Sequence, residues 1–312
     1  FYEQAPFSGL WLDMNEASNF CAGTCSQFSQ TPSSSVLAMQ RYIPSGRELN
    51  EKSISVDAIH EGGIYEIEAH SLFGTMQVKA AHEYFEEAGK RTFIIERSSA
   101  AGMGKFASAW LGDNYSDIFY LGTSMLGAQM MSTFGITLAG ADICGFGGNT
   151  TPDLCARWTM VGALHPFARN HAAYDSISQE PYQYSDDEYD ATTTYMDIMR
   201  QGILNRYHIL RYYYTMFFLS SVYKTGAFFN PLFYHFPEDA NAYNDYQYYA
   251  MIGDALKLSA MTTSLDEDDV DFYFPAGTWC DVLKPEQQCL HSTGESFTLS
   301  SKIYDVYLHL FE

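Results

Sequence analysis

The sequence lacks any apolar run of the roughly 20 residues that cross a bilayer. Its most apolar stretch, residues 212–223 (YYYTMFFLSSVY), is short and carries hydroxyl groups. Basic residues are scarce. Lys and Arg number 17 against 38 Asp and Glu, a formal net charge of −21 over 312 residues. So acidic a chain repels phosphate backbones and anionic headgroups, which argues against nucleic acid and membrane surfaces as partners. Residues 1–7 have no basic n-region or apolar core, so no signal peptide is expected there. The first residue is Phe, not Met, and the start reads as processed or truncated. No second close Cys or His pair accompanies Cys21-Ala-Gly-Thr-Cys25, which argues against a zinc finger. The acidic run 266–269 lacks EF-hand spacing and reads as a solvated hairpin tip. No internal repeat is present, and the Ser-rich stretch around residues 33–35 reads as a surface loop.

What is present describes a large globular chain. Hydrophobic residues make up 46%, enough to bury a core. The 24 Tyr and 22 Phe suit a protein that stacks rings on flat apolar faces. Six cysteines fall in local pairs, Cys21/Cys25, Cys144/Cys155 and Cys280/Cys289. Their even number favours disulfides and a route outside the cytosol, with connectivity open. Asn114-Tyr-Ser and Asn149-Thr-Thr are sequons compatible with that route, although a glycan on Asn114 would lie beside a candidate catalytic group.

Strands and helices alternate over the first two thirds. Strands are expected at residues 7–12 (FSGLWL), 91–96 (RTFIIE) and 136–141 (ITLAGA). Helices are expected at 74–87, with Met76, Ala80, Tyr84 and Phe85 at helical spacing, and at 116–134. Thr151-Pro152-Asp153 reads as a cap, a first-turn proline and an acid near the positive helix end. Residues 197–224 read as one long helix or a helix pair, and 228–236, 255–261 and 270–274 as strands. Buried strands alternating with helices imply a parallel sheet. About five strands are found before residue 226, where a closed barrel needs eight.

The polar residues fall where such a fold does chemistry. Asp13, Arg97 and Asp142 lie at or just past the ends of expected strands. In a (β/α)8 barrel that face carries the active site. Asp13 follows a buried strand between Trp11 and Met14, as an attacking carboxylate would, or as a simple helix cap would. Glu16, three residues on, can orient its neighbours. Asp113 in WLGDN has Gly112 for close backbone approach and Trp110 as an apolar wall; burial there would raise its pKa as a general acid requires. An ordinary Asp-Asn turn is the alternative. His171 ends HPFARNH, a candidate final barrel strand.

These residues sit in blocks that resemble glycoside hydrolase family 31. LWLDMNE resembles its W-x-D-M-N-E nucleophile motif. RSSAAGMGKFASAWLGDN resembles its R-S-x-x-A-G-x-G-K-x-x-x-x-W-x-G-D-N block. GADICGFGGNTTPDLCARW, PFARNH and FPAGTWCD follow in family order, so the resemblance covers nearly the whole chain. It implies an α/β fold: the C-terminal part of a (β/α)8 TIM barrel over residues 1–226, then the start of a β-sandwich domain over 227–312. It implies a retaining exo-α-glucosidase acting on maltose-like oligosaccharides or glycogen. Asp13 would be the nucleophile and Asp113 the general acid/base. Arg97, Asp142 and His171 would bind glucose hydroxyls; Trp11, Met14, Trp110 and Phe146 would form apolar walls. Cys144 and Cys155 match a cysteine pair of lysosomal relatives, and lysosome or secretion is the implied compartment.

Such chemistry needs two carboxyl groups about 5–5.5 Å apart and no metal or organic cofactor. Related specificities (α-1,6-glucosides, α-xylosides, transglucosylation) and a catalytically silent relative are the competing expectations. The sequence also departs from the family. Glu96, Ser99 and Ala100 stand where it has S-x-x-T-F around Arg97, and Ala109 where it often has His. The family's N-terminal β domain and first barrel strands have no counterpart here. The chain is therefore expected to be part of a larger enzyme, with the N-terminal part of that enzyme as its partner and no activity alone.

Overall fold

The computed structural model describes residues 2, 4–21, 23, 51–91, 93–266 and 268–312. The expected Ser-rich loop at 33–35 and Cys25 lie outside these residues. The chain forms two compact units, Phe1–Ala109 and Trp110–Glu312.

In the first unit, strands β1 (Gly9–Leu12), β2 (Phe93–Glu96) and β3 (Ser108–Ala109) form a parallel sheet in that order. Between β1 and β2 run the short helix α1 (Glu66–Ala69) and the helix α2 (Phe73–Glu87). Parallel neighbours need such a crossover. The expected apolar stripe of α2 is only partly the buried one. Gly74, Thr75, Val78 and Phe85 are buried, whereas Met76 is 57% and Tyr84 48% exposed. Helix rotation here follows backbone approach: a side chain on Gly74 would collide with Ser98 and with the Asn15 amide, so this small residue faces inward.

In the second unit, helix α3 (Ile118–Thr133) starts at Asp117, whose carboxylate accepts from Phe119 N at 2.8 Å. Such a cap contributes about 1 kcal/mol. Strand β4 (Asp142–Ile143) pairs in parallel with β5 (Arg169–Asn170), across helix α4 (Pro152–Gly162). Thr151 caps α4 and Pro152 opens it, as expected. The expected strand at 136–141 is not one. That segment receives isolated bonds, from Phe167 N to Ala139 O and from Leu111 N to Gly140 O, with no ladder. Asp142 therefore lies within a two-residue strand and not past the end of a long one. Residues 195–218 form one continuous helix, α5 (Tyr195–Phe218), opened by a Thr194/Asp197 capping box. Five strands precede residue 226 among the described residues.

The remaining strands are antiparallel. They are β6 (Phe229–Asn230), β7 (Tyr249–Ile252), β8 (Leu256–Ser259), β9 (Val270–Phe274), β10 (Gly277–Asp281), β11 (Leu290–Ser292), β12 (Glu295–Leu299) and β13 (Tyr307–Phe311). One sheet runs β11-β10-β13-β8-β7-β6, and β9 pairs with β12. The strand expected over 228–236 stops after Asn230, because Pro231 has no N–H to continue the ladder. The hairpin tip expected at the acidic run is not found: β8 and β9, on either side of it, lie in different sheets, and Ser301 donates to the carbonyls of Asp266 and Asp268. Buried aromatics fill this region: Tyr249, Phe272, Phe274, Trp279 and Tyr307. Each contributes roughly 1.5–3 kcal/mol by leaving water. Buried Arg157 of α4 ties the helix to the connection between β12 and β13, donating to Ser301 O at 2.6 Å.

Candidate active site

In the first unit, β1 delivers Asp13 and β2 delivers Arg97. Register pairs Leu12 with Glu96, so the residues after both strands emerge side by side. Arg97 Nη1 lies 3.3 Å from Asp13 Oδ1. Its Nε and Nη2 each donate to a Glu16 oxygen at 2.8 Å, a two-point fork. That guanidinium holds the Glu16 carboxyl below its ordinary value. The chain turns sharply behind Asp13. Met14 adopts φ 52°, left-handed for a residue with a Cβ, and its N–H donates to Asp13 Oδ1 at 2.8 Å. The turn tucks Asn15 inward, where it is 5% exposed. Asn15 Nδ2 donates to Glu96 Oε2 at 2.8 Å, and Asn15 Oδ1 accepts from Ser98 N at 3.0 Å. Trp11 and Met14 are 37% and 72% exposed.

In the second unit, Asp142 is completely buried and clamped by Asn114. Asn114 Nδ2 donates to Asp142 O, and Asp142 N donates to Asn114 Oδ1, both at 2.9 Å. Arg169 Nη1 lies 3.0 Å from Asp142 Oδ1 and offsets its buried charge. Gly112 is needed for this packing. A Cβ there would stand 2.2 Å from Asp142 Oδ2 and 2.3 Å from Trp110 Nε1. Gly112→Ala is therefore expected to destabilise the protein by about 1–3 kcal/mol, as overpacking does. Urea unfolding of the variant checks this; an unchanged midpoint would contradict the crowding.

The Cys144–Cys155 disulfide joins the end of β4 to α4, and Cys280–Cys289 joins the ends of β10 and β11. Two of the three local cysteine pairs are thus disulfides, and Cys25 of the third lies outside the described residues. After Cys144 the backbone turns at Gly145 (φ 91°), and a Cβ there would overlap the Ser116 backbone. This turn brings Phe146 against His171, with ring centroids 5.2 Å apart and planes 30° apart. His171 directly follows β5.

Three features depart from the sequence reading. Asp113 is exposed, so the expected burial against Trp110 is not found, although Trp110 itself is 4% exposed. Asn114, read as a sequon and as the last letter of the WLGDN block, is the clamp on Asp142. Gln179 went unnoticed. It is 2% exposed, and its Nε2 lies within 3.1 Å of Ile143 O, Gly145 O, Asn170 Oδ1 and His171 O. No pattern in a loop marks such an amide. Arg169 was legible only as one letter of PFARNH.

Comparison with known proteins identifies the family. The "Glycosyl hydrolases family 31 TIM-barrel domain" matches residues 1–216, and the "Glycosyl hydrolase family 31 C-terminal domain" matches 226–309. Lysosomal alpha-glucosidase of Bos taurus is 35% identical over 327 residues, covering 99% of this chain and 33% of that protein. Alpha-xylosidase 1 of Arabidopsis thaliana is 32% identical over 336 residues, covering 100% and 35%. The chain thus spans about a third of the curated relatives it matches. Among solved structures, the ER glucosidase II heterodimeric complex superposes with a TM-score of 0.76 at 25% identity, covering 96% of this chain and 29% of that one. The fold is accordingly α/β, a TIM-barrel domain followed by a C-terminal domain. With two successive domains of one family matching nearly end to end, the chain belongs to glycoside hydrolase family 31.

Proposed function

We propose that this chain carries the catalytic carboxylates of a retaining exo-α-glucosidase that releases glucose from maltose-like oligosaccharides or glycogen. The observation that carries the reading is Asp13 itself. It is a carboxylate directly after a parallel strand, 3.3 Å from the Arg97 guanidinium that the neighbouring strand delivers.

In the proposed cycle, Asp13 attacks the anomeric carbon and forms a covalent glucosyl-enzyme. Asp113 gives its proton to the leaving oxygen, then takes one from the incoming water. Its exposed position suits a group that must meet both leaving group and water. Arg97, Asp142 and His171 would hydrogen-bond the glucose hydroxyls, and Trp11, Met14, Trp110 and Phe146 would supply apolar faces. The rigid setting of Asp142 by Asn114 and Arg169 supports such a role, because a fixed acceptor discriminates among hydroxyl positions. A boundary near residue 226 separates the proposed catalytic region from the β domain. Two disulfides and the lysosomal names of several relatives support a lysosomal or secreted enzyme. A second reading, α-xylosidase activity, is favoured by the Arabidopsis relative.

Mechanism-based labelling tests the proposal. The native protein is treated with 5-fluoro-α-glucosyl fluoride, digested and sequenced by mass spectrometry. An adduct on Asp13 is expected. An adduct on another residue would displace Asp13 as the nucleophile. No adduct, with faster labelling by the 5-fluoro-α-xylosyl analogue, would favour the xylosidase reading.

A further inference from the structure

Glu96 plays no part in the cycle above, yet it is the most unusual acid beside it. It ends β2 and is completely buried. In register, β1 sets Leu12 beside it and β3 sets Ala109, neither of them charged. Glu96 Oε2 accepts from Asn15 Nδ2 at 2.8 Å. Among the described residues Oε1 has no hydrogen-bond partner. A buried carboxylate anion needs donors on both oxygens, and this one has a donor on a single oxygen. The charged groups around it give no relief. Glu16 acts against its ionisation. Arg97, the next residue, is engaged by Glu16 and Asp13.

Resting on the reading of Asp13 as nucleophile, we propose that Glu96 is a positioning residue: neutral, it lies dry behind Asn15 and the Asp13–Glu16 turn, and its ionisation, which leaves a charged Oε1 without a donor, opens this packing to water and loosens the turn, setting an upper pH limit on glycosidase turnover. The link is short. Asn15 is gripped on one side by Glu96 and on the other by Ser98 N, and it lies between Met14 and Glu16 in sequence. An ionised Glu96 needs a cation or water. Arg97, adjacent in sequence, is already paired with Asp13 and Glu16, so water is left to meet the new charge on Oε1.

Burial, the largest influence, pushes the Glu96 carboxyl up from 4.5 to about 7. The folded form thus keeps a proton that the unfolded chain releases at lower pH. Stability from this group is full below the unfolded value and is lost as pH rises through about 7.

The test uses the native-length protein with α-glucosyl fluoride. Fluoride departs without proton donation, so the alkaline limb of kcat/KM no longer reports Asp113. Wild type should lose about tenfold per pH unit above neutrality. Glu96→Gln, and Glu96→Ser as an independent variant, should stay within about twofold between pH 6 and pH 8. A structural role alone would lower activity at every pH and leave the limb where it was. An unshifted limb in a folded variant overturns the proposal. So does a wild-type profile flat from pH 6 to pH 8, which needs no variant. If the wild type hydrolyses no glycoside at all, the glucosidase reading fails instead. The Glu96 linkage is then judged by Tm, which should fall between pH 6 and pH 8 in wild type but not in Glu96→Gln.

Discussion

Replacing Asp13 by glycine is expected to lower turnover of maltose by about 10⁴-fold or more, a loss of at least about 5.5 kcal/mol of transition-state stabilisation. The reason is the loss of a covalent route. Without the carboxylate, one difficult displacement is no longer divided into two easier ones. Arg97 remains, and its pairing with Glu16 keeps the loop anchored, so the variant should fold. The missing side chain leaves room for a small anion. With α-glucosyl fluoride as substrate, added azide should therefore attack from the face that Asp13 occupied and yield β-glucosyl azide. Formation of the α-anomer, or undiminished maltose hydrolysis, would remove Asp13 from the nucleophile's role.

Replacing Asp113 by alanine is expected to have the second largest effect, and a different signature. Maltose has a poor leaving group and should lose about 10²–10⁴ in kcat. α-Glucosyl fluoride needs no proton for departure, so its glycosylation step should fall far less. The covalent intermediate would then accumulate for want of a base. Azide, needing none, should capture it from the opposite face and give α-glucosyl azide. The two variants are thus expected to produce opposite anomers from one substrate. Equal losses on maltose and on the fluoride would refute a proton-transfer role for Asp113.

How much of this could be read before the structure depended on where each residue's partners lie. Asp13 and Arg97 were legible because each follows an apolar strand, and strand ends in a parallel sheet are where side chains meet. Thr151 was legible because a cap bonds only three residues away. Residues with distant partners were not. Asn15 and Glu96 are 81 positions apart, and Asn114 and Asp142 are 28 apart. Both amides stand in the family blocks, Asn15 in LWLDMNE and Asn114 in WLGDN, but nothing in the local sequence says what they bond. The strand expected over 136–141 failed for a related reason: apolar composition reports burial, but a ladder needs neighbours in register, and this segment receives only isolated bonds. The stripe on α2 was misjudged because a glycine, which contributes nothing to an apolar pattern, decides which side approaches the chain.

The clamp between Asn114 and Asp142 also bears on how the molecule is made. In a secretory route, glycosyl transfer to Asn-Tyr-Ser would occur on the nascent, still extended polypeptide, before burial protects it. A sugar on Nδ2 would be covalently fixed to an amide that ends 6% exposed and already donates to Asp142 O. A chain modified there could not seat Asp142. In such a route, maturation at this position would be a race between modification and closure, and only chains that closed first would acquire the complete set of polar side chains.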